Sequence, residues 1–230
     1  MKEGYLIVLE GADGTGKGTQ FSKLQETFSE NKIPFTVFDF PRYYTNFWGK
    51  MVGRYLNREF GDMDNISPYL RTMFFILDQA DAKEEIRKAK KKGNIVLCNR
   101  YVTSQIFQAG TMKKISDKDK YWRWLEKAFY KHLGGEKPDL VIGLYATPKV
   151  AFENIEKKQE RKYSKGKKRD MNEENFDLQK AAARELVRQC NKRKDWILIK
   201  VTENNRMKSV ETVTSEIISI LKQKLQIKII

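Results

Sequence analysis

The sequence predicts an α/β fold: a doubly wound parallel sheet of five strands with helices on both faces. Two observations carry that prediction. Five short apolar runs, at 5–10, 34–40, 94–100, 139–145 and 196–201, have the near-continuous hydrophobicity of strands covered on both sides. Helix-like segments separate them, and strands alternating with helices give parallel pairing through crossovers. In such a sheet, ligands gather beyond the C-terminal ends of the strands.

The helical segments follow in order. In 17–31, Phe21, Leu24 and Phe28 mark one face, and an apolar stretch at 44–56 reads as a second helix. A long helix is expected over 67–91, opened by Ser67-Pro68 as N-cap and first-turn pair and stopped before Gly93. Trp122, Leu125 and Phe129 share a face of 118–133, which ends at Gly134-Gly135, and 173–194 and 207–225 complete the set. No repeat or linker divides the chain, so residues 1–230 read as one domain.

Composition narrows the function. With 40% hydrophobic residues the chain has material for a core, and no run approaches a membrane span. The start, Met1-Lys2-Glu3-Gly4, does not resemble a signal peptide. Cys98 and Cys190 have no metal or disulfide spacing, and Cys98, in an apolar run, reads as a buried thiol in a reducing cytosol. A single histidine, His132, argues against imidazole-rich metal sites and Ser-His-Asp catalysis. The net charge of +15 points to an anionic partner or simply to a lysine-rich solvated surface. One cluster stands apart: Lys157 to Arg169 carries eight Lys/Arg in thirteen residues without apolar periodicity, as a lid loop would.

The most specific motif is at the end of the first strand. Glu10-Gly11-Ala12-Asp13-Gly14-Thr15-Gly16-Lys17-Gly18-Thr19 is the strand–loop–helix pattern of a phosphate-binding P-loop. Its glycines let backbone N–H groups converge on an anion, the helix N-terminus adds partial positive charge, and Lys17 reaches the outer phosphates. The pattern departs at Gly18, where Ser or Thr is usual, and Thr19 follows one residue later. A dinucleotide fingerprint read from Gly14 would need a third glycine where Thr19 stands. Asp13, inside the loop, suits either turn chemistry or acceptance from a substrate hydroxyl. Asn99-Arg100-Tyr101 ends the third strand and Phe40-Pro41-Arg42-Tyr43 the second, so Arg100 and Arg42 are candidate phosphate ligands. Pro41 is a candidate for a cis peptide.

These segments, in this order, resemble the thymidylate kinase family of P-loop nucleoside monophosphate kinases. The family's Glu-Gly-x-Asp-Gly-x-Gly-Lys-x-Thr matches 10–19, its Phe-Pro-Arg-Tyr matches 40–43, and its Asp-Arg-Tyr-x-x-Ser matches 99–104 except at Asn99. Phe-x-x-Asp-Arg-Ala matches 75–80 with Gln79 for arginine, Pro138-Asp139-Leu140 opens the fourth strand, and Asp170-x-x-Glu173 follows the basic stretch as it follows the family's lid. The resemblance implies a P-loop kinase fold with a lid at about 157–169 and transfer of the ATP γ-phosphoryl to dTMP with Mg²⁺, giving dTDP and ADP. The alternatives are the same chemistry on another (deoxy)nucleoside monophosphate, or, less favoured, an ATP switch that binds nucleic acid.

Carried over by position, the resemblance implies that Gly11 to Thr19, including Ala12, Thr15 and Gly18, bind ATP. Asp13 would meet the acceptor's 3′-hydroxyl and Arg42 and Arg100 its phosphate. Phe75 would stack on the base, with Phe40, Pro41, Tyr43, Gln79, Ser104, Gln105 and Gln108 around it. Lys17, Arg161 and Arg169 would supply catalytic cations, and Thr19, Glu10 and Asn99 are candidate metal ligands, directly or through water. A homodimer in the cytoplasm, without membrane attachment, is the family expectation. Gln79, Gln105, Gln108 and Asn99 are the departures around the acceptor.

Overall fold

In the computed structural model, which describes residues 3–62, 65–156 and 175–229, all five apolar runs are strands. β1 (Leu6–Glu10), β2 (Phe35–Asp39), β3 (Ile95–Asn99), β4 (Leu140–Tyr145) and β5 (Trp196–Lys200) form one sheet in the order β2-β3-β1-β4-β5. Every pairing in it is parallel, with Leu6 opposite Val96 and Val8 opposite Val141. Because successive side chains of a strand point to opposite faces, β1 feeds two cores. Leu6 and Val8 pack on one side with Val96, Cys98 and Val141, and Ile7 and Leu9 on the other with Leu97, Ile142 and Leu144.

Helices cover both faces, as the alternation predicts. α1 (Lys17–Glu30) buries Phe21, Leu24 and Phe28 beside α9 (Val210–Leu225), which brings Val213, Ile217 and Leu221 to the same core. On the opposite face lie α3 (Pro68–Asp81), α4 (Lys83–Lys91), α5 (Ile106–Gly110), α6 (Ile115–Glu126) and α8 (Phe176–Lys192), with Tyr121, Trp122, Leu125 and Leu186 in the core. α2 (Phe47–Leu56) packs on α3 through Val52, Tyr55 and Phe74, and α7 (Pro148–Glu156) follows β4.

Two elements differ from the sequence expectation. The single helix expected over 67–91 breaks at Ala82, which is at once the C-cap of α3 and the N-cap of α4. The buried stripe 72, 76, 80 would continue near 83 and 87; the buried positions are instead 82, 86 and 89. One residue of phase shift turns the second half toward the sheet, and the break absorbs it. The helix expected over 118–133 begins at Ile115 and passes into a π-turn at Lys127–His132, which still buries Phe129. Ser67 caps α3 as expected, accepting from the Tyr69 N–H at 3.3 Å.

Candidate active site

The strand order puts the C-terminal ends of β1, β2 and β3 side by side, and the residues there build one cleft of about 1060 Å³. The P-loop forms its floor. Gly11, Gly14 and Gly16 have φ of 157°, 78° and 83°, the conformations that wrap the backbone around an anion site. At Gly14 a Cβ would sit 1.9 Å from the Ala151 carbonyl oxygen, so glycine is required there on two counts. Asn154 of α7 ties the loop by donating to the Gly14 carbonyl at 3.1 Å. The buried Lys17 ammonium donates to the Ala12 carbonyl at 2.7 Å, and the Thr15 hydroxyl to the same oxygen at 2.9 Å. Gly18 and Thr19 both line the cleft on the first turn of α1, and a Cβ at Gly18 would meet nothing within 4 Å.

At the junction of β1 and β3 the carboxylates and Arg100 lock together. Glu10 is fully buried; its Oε1 accepts from the Gly11 N–H at 2.8 Å, and its Oε2 accepts from Thr103 and Ser104 hydroxyls at 2.7 Å each. The Arg100 guanidinium lies 3.6 Å from Glu10, bonds Asp13 closely, and stands 5.4 Å above the Phe107 ring. Arg100 itself has φ 65°, a left-handed conformation that costs a non-glycine residue about 1 kcal/mol or more. Such strain aims the side chain back over the loop. Both Glu10 oxygens thus brace the loop and the turn after β3.

Gln179 of α8 was invisible in the sequence. Its Oε1 accepts from the Asp13 N–H and its Nε2 donates to Asp13 Oδ2, each at 2.9 Å, across 166 residues of chain. No local pattern announces such a contact. The β6–β7 hairpin (Thr202–Glu203 and Arg206–Met207) was also missed; with Val201, Val210 and Val213, its Met207 walls the far side of the cleft. Its signal was present in Asn204-Asn205, whose φ of 48° and 56° suit a tight hairpin turn.

A second, inner pocket shares Asp13, Phe40, Pro41, Tyr43 and Arg100 with the cleft and adds Phe75, Gln79, Ser104, Gln105 and Gln108. The predicted acceptor residues therefore converge, with Arg42 the exception. The Phe40–Pro41 peptide is cis. Arg42 lines the outer cleft, where its Nε donates to Asp78 Oδ1 at 3.1 Å and its Nη2 to Asp81 Oδ2 at 2.8 Å. Asn46, the N-cap of α2, donates to both carboxylates and, with Arg42, holds Asp81 below the usual carboxylate range. Arg161 and Arg169, like the whole stretch 157–169, lie outside the described residues.

Among the described residues no cluster of three or more His, Cys, Asp or Glu forms a metal cage. Mg²⁺ does not require one, since it rides on substrate phosphates with one or two protein oxygens. The donors lining the cleft fit that pattern. They are Thr19, Asp39, and Asn99, which donates to Asp39 at 2.7 Å while its buried Oδ1 has no hydrogen-bond partner among the described residues. Both cysteines are free, and burial pushes the Cys190 thiol up to about 12, so neither is a nucleophile.

A parallel sheet in this order, with a phosphate-binding loop at its edge and a second pocket joined through an Asp–Arg pair, defines a P-loop phosphotransferase acting on nucleotides. The model of the family described as thymidylate kinase matches residues 9–217, and the chain belongs to that family. The thymidylate kinase of Mycobacterium tuberculosis is 29% identical over 174 residues, covering 76% of this chain and 80% of the relative. That of Caenorhabditis elegans is 30% identical over 159 residues, covering 65% and 66%. A solved thymidylate kinase from Candida albicans, described as revealing the origin of broad substrate specificity and a novel structural element, superposes with a TM-score of 0.74 at 20% identity. That superposition covers 99% of this chain and 95% of the other, and it shows a shared fold.

Proposed function

We propose that the chain transfers the γ-phosphoryl group of ATP to dTMP, giving dTDP and ADP, with the outer cleft holding the donor and the inner pocket the acceptor. The observation that carries this reading is that Asp13 and Arg100 line both spaces at once. A group bound by Arg100 is thereby brought to the phosphate site of the P-loop.

The chemistry asks little of the protein beyond placement. An acceptor phosphate has a second pKa near ~6 and is largely ionised at neutral pH, so no strong general base is needed. Positioning and charge neutralisation supply most of the catalysis. The P-loop amides and Lys17 hold the donor phosphates, Arg100 and Arg42 orient the acceptor phosphate, and Asp13, fixed by Gln179, accepts from the sugar hydroxyl. Phe75 and Phe40 wall the base. Mg²⁺ bound with ATP would neutralise charge on the transferring oxygens, with Thr19 and the Asn99–Asp39 pair to hold it.

No described helix is long and apolar enough to cross a membrane, and two free thiols suit a cytoplasmic setting. Phe47 and Leu70, 65% and 62% exposed on the packed α2–α3 pair, suit a homodimer; light scattering that finds a monomer removes that part of the reading. The kinase reading itself is tested by ADP release from ATP-Mg²⁺ with dTMP. Steady turnover is expected, and ADP release that does not depend on added dTMP would overturn it.

A further inference from the structure

The inner pocket presents an unusual set of polar groups, three glutamines, each at most 2% exposed: Gln79, Gln105 and Gln108. They are not equivalent. The Gln105 amide lies within hydrogen-bond distance of the hydroxyls of Thr72, at 3.2 Å, and Tyr121, at 3.4 Å, which also bond each other at 2.5 Å. Burial pushes the Tyr121 hydroxyl far up, so it stays a neutral phenol. These contacts anchor the Gln105 amide against rotation. Gln79 and Gln108 have no such anchor, and among the described residues the buried Oε1 of each lacks a hydrogen-bond partner. A buried carbonyl left unpaired costs about 1–3 kcal/mol. Two such atoms in one pocket, beside the aromatic walls of Phe75 and Phe107, are acceptors in want of a ligand's donors.

Pyrimidine bases differ at adjacent edge positions. Thymine offers a 4-carbonyl and an N3–H, whereas cytosine offers a 4-amino group and a bare N3. A cationic side chain only donates and so selects the carbonyl. A carboxamide carries both senses, and half a turn about its terminal bond exchanges them. No hydrogen bond among the described residues holds the Oε1 of Gln79 or Gln108 against that turn, whereas Gln105 is anchored by Thr72 and Tyr121.

We propose that Gln79 and Gln108 read the base edge as reversible amides, so that the pocket accepts deoxycytidine monophosphate as well as thymidine monophosphate. This rests on the kinase reading above and assigns the specificity of its acceptor site. The amide set, rather than the width of the pocket, decides which base enters.

The test is ADP release with ATP-Mg²⁺ and dTMP, dCMP or dGMP, comparing the unaltered chain with Gln79→Arg and Gln79→Glu. In the unaltered chain dCMP should fall within about tenfold of dTMP in kcat/KM, since each base offers the reversible amides one donor position and one acceptor position. Gln79→Arg, which can only donate, should shift the dTMP-to-dCMP ratio toward dTMP by ~30-fold or more. Gln79→Glu, which can only accept when ionised, should shift it the other way. Because a ratio is read within each variant, partial loss of folded protein cancels. Turnover of dTMP with dCMP more than ~100-fold poorer would overturn this inference and leave the kinase reading standing. A ratio that stays constant in both variants would overturn it too, as would dGMP turning over as well as dCMP. Turnover of none of the three would overturn both readings together.

Discussion

The two halves of the active site are built in opposite ways. On the donor side the polar groups of the P-loop are paired with the protein itself. Glu10 accepts from a backbone amide and two hydroxyls, Thr15 and Lys17 turn onto Ala12, and Asp13 is bound by Arg100 and Gln179. On the acceptor side Gln79 and Gln108 keep buried carbonyl oxygens unpaired. The donor half is a preorganised backbone device for a phosphate chain that every nucleotide triphosphate shares. The acceptor half holds its hydrogen-bonding capacity open for the part of the substrate that varies.

That contrast can be broken at the donor half first. Lys17→Ala should lower kcat/KM by roughly 10³-fold, in the range found when one preorganised donor to a developing charge is deleted. The Ala12 carbonyl keeps its bond from Thr15, so the melting temperature should stay close to that of the unaltered chain. Near-normal turnover in a folded variant would show that the loop does not carry the chemistry.

The next effect is on stability. Gly14→Ala places a methyl carbon where the Ala151 carbonyl stands 1.9 Å away, at a φ of 78°. Either the loop or the start of α7 has to move, and a loss of about 3 kcal/mol is expected from a strained backbone combined with a clash. Urea denaturation measures it. A loss under ~1 kcal/mol would mean that the donor half is more yielding than its hydrogen bonding implies.

The same contrast explains what could be read from the sequence. The strands were legible because burial on both faces removes polar residues from a run of five or six. The P-loop was legible because its backbone conformations fix glycines at 11, 14 and 16 within a single local segment. The acceptor pocket is assembled from five separate segments around 13, 40, 56, 75 and 104, and no spacing links them. It emerged only as a joint resemblance to a family. Gln179 reaches Asp13 from the far end of the chain and left no trace. Ala82 broke an expected helix because a one-residue phase shift looks like continuity when helical propensity alone is followed.

The smallest effect bears on the donor half's own departure from its motif. Gly18 occupies the second position of α1 with nothing within 4 Å of where a Cβ would be, so the serine usual at that position fits without displacement. Glycine is a poorer helix residue than serine by about 0.3–0.5 kcal/mol, so Gly18→Ser should raise stability by that amount, near ~1 °C in melting temperature for a chain of this size. Its hydroxyl would join Thr19 at the mouth of the cleft, and the Mg²⁺ concentration for half-maximal rate should fall about two- to fivefold with kcat little changed. A loss of more than ~1 kcal/mol would contradict the open space at Gly18. An unchanged Mg²⁺ requirement would place the ion away from this turn and toward the Asn99–Asp39 pair. The donor half would then share with the acceptor half a dependence on residues that its motif does not contain.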